Sequence, residues 1–267
     1  MEEAMKCNLS FILILLFFIP SLACGSFSTT SVTGSGSIET QTFDVSNFDR
    51  VLLGGFGDVY VEQGPKEGLS VQTDANILPL LEIEVRGREL RLETKPGIDI
   101  TPSETIVYNL TVKDLNGITL AGSGNFHVEP VKSGNMTVSL PGSGNIDFKG
   151  LNAGDLSVNL NGSGNITIQA IDAKTLDASL NGSGDMKLEG HTNSQNLIIR
   201  GSGNYLAGNL ETDKTDVSMA GSAEVTLWVH DELTVSISGS GNIEYYGKPT
   251  LSQSVSGSGN IKGLGEK

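Results

Sequence analysis

The sequence predicts an all-β chain wound into a single elongated, β-helix-like solenoid with about 18–20 residues per regular turn. Two observations carry this prediction: a glycine-rich phrase recurs eight times, and the residues between phrases alternate apolar and polar. The phrase is GSGN at Gly122, Gly124 and Asn125, at Gly142, Gly144 and Asn145, and at Gly162, Gly164 and Asn165. It becomes GSGD at Gly182, Gly184 and Asp185, GSGN at Gly201, Gly203 and Asn204, and GSAE from Gly221 to Glu224. GSGN then returns at Gly239, Gly241 and Asn242 and at Gly257, Gly259 and Asn260. Offsets of 20, 20, 20, 19, 20, 18 and 18 residues leave no room for a helix pair or a four-stranded blade, so each repeat reads as one turn resting on the last.

Within a repeat the period is two, as half-buried strands require. Ile166 and Ile168 follow one corner, and Leu176, Ala178 and Leu180 precede the next, with polar Thr167, Asp177 and Ser179 between them. Equivalent positions hold Phe126 and Val128, Ile146 and Phe148, Met186 and Leu188, Tyr205 and Ala207, Val225 and Leu227, then Ile243 and Tyr245. Stacked at the spacing of neighbouring strands, they become apolar ladders through a core. The corner glycines are expected to supply positive φ and to leave out a Cβ that would crowd the same corner in the next turn. The residue after them is Asn in six of eight phrases, which suits a ladder of amides that both donate and accept. Calcium, which prefers several carboxylate oxygens, is a poor match to these neutral amides.

From the N-terminus, Phe11–Ile19 is an apolar run too short to span a bilayer, followed by Ser21-Leu22-Ala23-Cys24. Residues 1–23 read as a signal peptide, with Met5 as an alternative start that would leave Lys6 as the head charge. Small Ala23 before Cys24 predicts lipidation at Cys24 and membrane lipid as a partner; ordinary cleavage nearby is the alternative. Removal of Cys7 with the signal leaves no cysteine pair for an intrachain disulfide, so core burial and the backbone ladder must hold the fold. Residues 24–41, rich in Ser, Thr and Gly, are expected to form a flexible tether that includes Gly34-Ser35-Gly36. Residues 42–121 remain strand-rich without the period and read as an irregular cap with larger early turns. Residues 122–263 form the regular solenoid and 264–267 a tail.

In order along the chain, Phe48-Asp49-Arg50-Val51, the Gly57–Gly64 segment GDVYVEQG, Glu89-Leu90-Arg91-Leu92 and Ile118–Asn125 lead into the GSGN phrases. On these segments the chain resembles the auto-transporter adhesin family with the head GIN domain, over nearly everything after the tether. The resemblance implies a right-handed β-helix-like fold on exported, often lipid-anchored bacterial proteins. It supplies no agreed ligand or catalytic residue. No barrel-like segment follows the repeats, so self-export through one is not expected.

The three histidines, His127, His191 in a corner loop and His230, fall in turns too far apart to share a metal. The outward column five residues after the first Gly holds His127, Asp147, Thr167, Lys187, Leu206, Thr226, Glu244 and Lys262, a mixed solvated face without the paired carboxylates of a glycosidase. Folding could bring Asp155 to Asp185 or Glu189, but nothing in the sequence selects that pair. With 17 basic against 31 acidic residues the charge is −14, which repels nucleic acid. Trp228 and Tyr246 fall opposite the core phase and are candidate surface contacts, whereas Tyr205 and Tyr245 fall in core columns. The expected function is a non-catalytic surface module, structural or adhesion-like, with an extracellular glycan or surface protein as partner and no cofactor or metal. The alternative is a protein that binds or processes polysaccharide. The expected location is the outer membrane or cell surface as a lipoprotein, otherwise the periplasm or the medium.

Overall fold

Each alternating segment hydrogen-bonds in parallel, and in register, to its equivalent one repeat away. In the computed structural model, which describes residues 29–267, Asn145–Phe148 lies between Asn125–Val128 and the start of Asn165–Leu180. The segments that precede the corners form a second ladder, with Asn135–Leu140 on Leu151–Leu160 and Val138 opposite Val158. From Asn165 to Ile237 the two strands of a turn run together as one bent strand, as in Asn165–Leu180 and Met186–Ile199. The bend absorbs a register shift between Ile168 and Ile171 and places Ala170 at φ 48° and Gly190 at φ 126°.

The inward side chains stack as identical or similar groups. Tyr108, Val59, Phe126, Ile146, Ile166, Met186, Tyr205, Val225 and Ile243 are successive register partners in one column. None of them is more than 2 % exposed. Burying such a side chain contributes roughly 1.5–3 kcal/mol, so the columns are the main source of cohesion in a fold with little local contact.

At the corners the backbone ladder continues without a break. Ser143 N–H donates to Gly122 O at 3.0 Å, and Ser163 N–H to Gly142 O at 3.2 Å. Each glycine carbonyl thus points at the glycine one turn on. A Cβ on Gly162 would lie 1.7 Å from Gly142 O, and one on Gly164 would lie 1.7 Å from Gly144 O. The expectation of positive φ is corrected here: among the glycines of the eight phrases only Gly257 has it, at 148°. Close approach of stacked backbones, rather than left-handed conformation, is what requires glycine.

The early turns stack in an order that differs from the chain. Arg50–Leu53 lies between Glu89–Thr94 and Gly117–Leu120, and Asp58–Gln63 lies between Val107–Val112 and Asn125–Val128, all parallel. The later segment is therefore the outer turn. Antiparallel strands close that end, with Gly68–Asp74 on Val107–Val112, Ile38–Phe43 on Gly68–Asp74, and Leu81–Arg86 on Glu89–Thr94. They cover a parallel edge that would otherwise present unpaired backbone groups.

The tether expectation also requires correction from Thr30 onward. Thr30–Thr33 pairs with Ile98–Thr101, and Ile38–Phe43 belongs to the cap. Between them, Gly36 N–H donates to Asp74 Oδ1 at 2.7 Å and Ser35 N–H to Asn76 Oδ1 at 2.9 Å. Polar composition suggested a solvated linker, but buried Asp74 supplies acceptors that hold this turn. Residues 1–28, with the signal-peptide reading, Cys24 and the start of the tether, lie outside the described residues. At the other end Leu264 and Gly265 belong to the strand Asn260–Gly265, with Gly265 opposite Tyr246, so the tail begins at residue 266. His191 lies within Met186–Ile199 rather than in a corner loop, between Asp172 and Glu211.

Candidate functional site

The ladder register carries outward side chains into columns as strictly as inward ones. His127, Asp147, Thr167, Lys187, Leu206, Thr226, Glu244 and Lys262 are successive partners along the ladder that follows the corners. The column extends past His127 to Tyr60 and Asn109, which sequence period alone did not place. Lys262 Nζ pairs with Glu244 Oε1 at 2.9 Å. Tyr60 and His127 stack with ring centroids 4.9 Å apart and planes 22° from parallel, about the separation of the strands that carry them. A cavity of about 290 Å³ opens beside them, lined also by Glu62, Asn109, Thr111 and Glu129.

Beside this face runs a polar ladder at the corners. Asn145 Nδ2 donates to Asn125 Oδ1 at 3.0 Å, and Asn165 Nδ2 to Asn145 Oδ1 at 3.1 Å. Asn125 Nδ2 in turn donates to Asp58 Oδ1 at 2.8 Å. Asp185 joins through its backbone, its N–H donating to Asn165 Oδ1, and it accepts from Asn204 Nδ2 at 2.9 Å. Asp58 was missed by the sequence reading, yet a signal existed. Gly55-Phe56-Gly57-Asp58 is a GSGD phrase with Phe in place of Ser, and Val59 and Val61 follow in the apolar phase. Ser123 N–H and Asn125 N–H donate to Gly55 O and Gly57 O as one regular corner does to the next.

Trp228 and Tyr246 are register partners and both are half-buried. Lys267 Nζ lies 4.9 Å from the Trp228 ring centroid and 5.3 Å from that of Tyr246, so a cation already covers part of this aromatic pair. His230 Nε2 contacts Glu211 Oε1 at 2.7 Å, and Glu211 is a register partner of Trp228. A wider polar hollow of about 630 Å³ lies along the bend between the ladders, near Asn152, Asp155, Asp172 and His191.

The carboxylates with catalytic potential are engaged by different neighbours. Asp155 Oδ1 accepts from Thr175 Oγ1 at 2.8 Å, Asp185 lies in the corner ladder, and Glu189 pairs with Lys187 at 2.7 Å. The Lys187 ammonium holds the Glu189 carboxyl below its ordinary value. Among the described residues no group of three or more His, Cys, Asp and Glu side chains is placed to hold a metal ion.

These turns match a known family model, described as "Putative auto-transporter adhesin, head GIN domain", over residues 47–169 and again over residues 137–249. The chain belongs to this head GIN domain family. The two matches overlap because the same model can be laid twice along stacked, equivalent turns. A solved structure from Parabacteroides distasonis, described as a "putative lipid binding protein", is 30% identical, with a TM-score of 0.83, covering 88% of this chain and 100% of that one. A "putative adhesin" from Bacteroides fragilis is 26% identical, with a TM-score of 0.67, over 87% of this chain and 100% of that one. A "putative adhesin" from Parabacteroides merdae, 21% identical with a TM-score of 0.80 over 88% and 99%, shares the fold. No curated protein matches this head GIN domain chain.

Proposed function

We propose that the protein is a non-catalytic, adhesin-like module displayed at a bacterial cell surface, exported by its signal peptide and held there through lipid on Cys24. The single observation that carries the reading is the register of the outward columns, which repeats exposed and half-buried outward side chains at strand spacing along one face of a regular stack of turns. Weak contacts repeated on such a face add through effective concentration when the partner is itself a polymer. Membership of the head GIN domain family supports the same reading, as does the dispersal of Asp155, Asp185 and Glu189 among separate partners. The partner is an extracellular glycan or a surface protein, and a charge of −14 disfavours nucleic acid. Trp228 and Tyr246 remain a candidate contact, with Lys267 as a cover that a ligand would displace or share.

The test is to challenge the intact protein with a glycan array, matrix proteins and whole cells while the same samples are monitored for new reducing ends or unsaturated sugars. Retention without product is the expected result. Product release would overturn the non-catalytic assignment, and no retention on any surface would overturn the adhesive one. Mass spectrometry of the mature N-terminus separately tests the anchor, which an unmodified start downstream of Cys24 would refute.

A further inference from the structure

Tyr60 is 46 % exposed on the face of a strand flanked on both sides, and its surroundings differ from side to side. Toward the regular turns, His127 is its register partner and occupies one face of its ring in the 4.9 Å stack. The opposite ring face is therefore left toward Val107–Val112, where Asn109 is the register partner. The cavity of about 290 Å³ is built from these residues with Glu62, Thr111 and Glu129. It lies at the small end of ligand sites, which run from roughly 300 to 1,000 Å³, and has room for one ring.

The two carboxylates around this slot are acceptors that are already partly engaged. Thr111 Oγ1 donates to Glu62 Oε1 at 3.0 Å, leaving the other carboxylate oxygen of Glu62 available. Glu129 pairs with Lys149, which offsets its charge while leaving lone pairs to accept further bonds. The amide of Asn109 can donate and accept at once. One free aromatic face beside an amide and two engaged carboxylates matches the two sides of a pyranose, whose ring C–H groups pack on the aromatic face and whose hydroxyls both donate and accept. Acidic sugars are disfavoured by Glu62, Glu129 and the overall charge of −14.

We infer that the slot formed by Tyr60, Asn109, Glu62 and Thr111 binds an uncharged pyranose unit of an extracellular glycan, with His127 holding the Tyr60 ring upright as a positioning residue. This deepens the surface-module reading and rests on it, but has its own test. Binding of the intact protein to cello-, malto-, manno- and chito-oligosaccharides, to oligogalacturonate and to a Lys/Arg-rich peptide is measured by calorimetry and saturation-transfer NMR. At least one uncharged oligosaccharide is expected to bind, about ten-fold more weakly after Tyr60→Ala and within about three-fold of wild type after Tyr60→Phe.

Thermal melts check that Tyr60→Ala folds. If it does not, Asn109→Ala takes its place, with weakened binding and the same sugar selectivity expected. Unchanged affinity in the folded variant overturns the site, as does binding of oligogalacturonate or the cationic peptide alone. Cell or matrix adhesion that survives Tyr60→Ala without any oligosaccharide binding overturns this site and leaves the surface-module reading standing.

Discussion

Gln195 Nε2 donates a hydrogen bond to the Tyr205 hydroxyl at 2.6 Å, with both side chains buried inside the solenoid. Gln195 occupies an inward position between Leu176 and Thr215, where the neighbouring turns have an apolar residue or a threonine. Tyr205 reaches it from the column that follows the corners. Nearby, Thr212 Oγ1 and Thr215 Oγ1 are 2.8 Å apart, so the polar insertion spans more than one turn. Tyr205→Phe should cost about 1–3 kcal/mol because it leaves the buried amide unpaired. Adding Gln195→Leu should recover most of that loss, since both partners are then apolar. Urea denaturation of the two variants decides this, and a neutral Tyr205→Phe would show that the bond contributes nothing.

Corner glycines should be intolerant of even one methyl group. Gly164→Ala places a Cβ 1.7 Å from a backbone carbonyl that cannot move without opening the ladder. A loss of at least about 3 kcal/mol is expected. Gly134→Ala is the control, because nothing lies within 4 Å of its Cβ position and its φ is negative. Its stability should stay within about 0.5 kcal/mol of wild type. Equal melting curves for the two variants would rule out close backbone approach as the reason for the glycine phrase.

The corner amides should contribute individually. Asn145 donates to Asn125 and accepts from Asn165, so Asn145→Ala removes two side-chain hydrogen bonds. The expected loss is about 1–2 kcal/mol, with Asn145→Asp no better because a carboxylate would then face the Asn125 oxygen without a proton to donate. Asp58 tolerates its carboxylate because it is the acceptor at the end of this run. Thermal unfolding in the presence and absence of EDTA should be the same for wild type, and a fall in stability on chelation would restore calcium as an explanation.

Acid should release the N-terminal strands before the regular turns. The Ser103 hydroxyl, which donates to Asp74 Oδ1 at 2.6 Å, holds the Asp74 carboxyl below its ordinary value, and the Ser103 and Gly36 N–H groups act in the same sense against burial. A depressed folded pKa means that the stabilisation is present above the unfolded value of about 3.9 and is lost as pH falls through the folded one. Hydrogen exchange over Thr30–Phe43 should therefore rise selectively below about pH 4. In Asp74→Asn the same segment should exchange faster at neutral pH and lose this acid step. An unchanged exchange profile in the variant would remove Asp74 as the lock.

Repetition is what made this protein legible from its residues. When Ile146, Ile166 and Met186 recur at equal intervals with the same flanking corner, one placement satisfies every turn, and burial of one column dictates the next. The apolar columns, the outward column from His127 to Lys262 and the amide run at Asn125, Asn145 and Asn165 follow from that constraint. Tertiary structure alone decided what lies before Gly117. Asp58 meets Asn125 across 67 residues of chain, and the intervening segment folds outward as the next turn and its antiparallel cap. No local period encodes which of several similar strands will pair. Asp74, buried far along the chain, likewise decided that Gly34–Ser37 is an anchored turn, although its composition is that of a linker. The slot beside Tyr60 arises for the same reason: its neighbours Asn109 and His127 come from strands on opposite sides, brought together by backbone pairing rather than by sequence spacing.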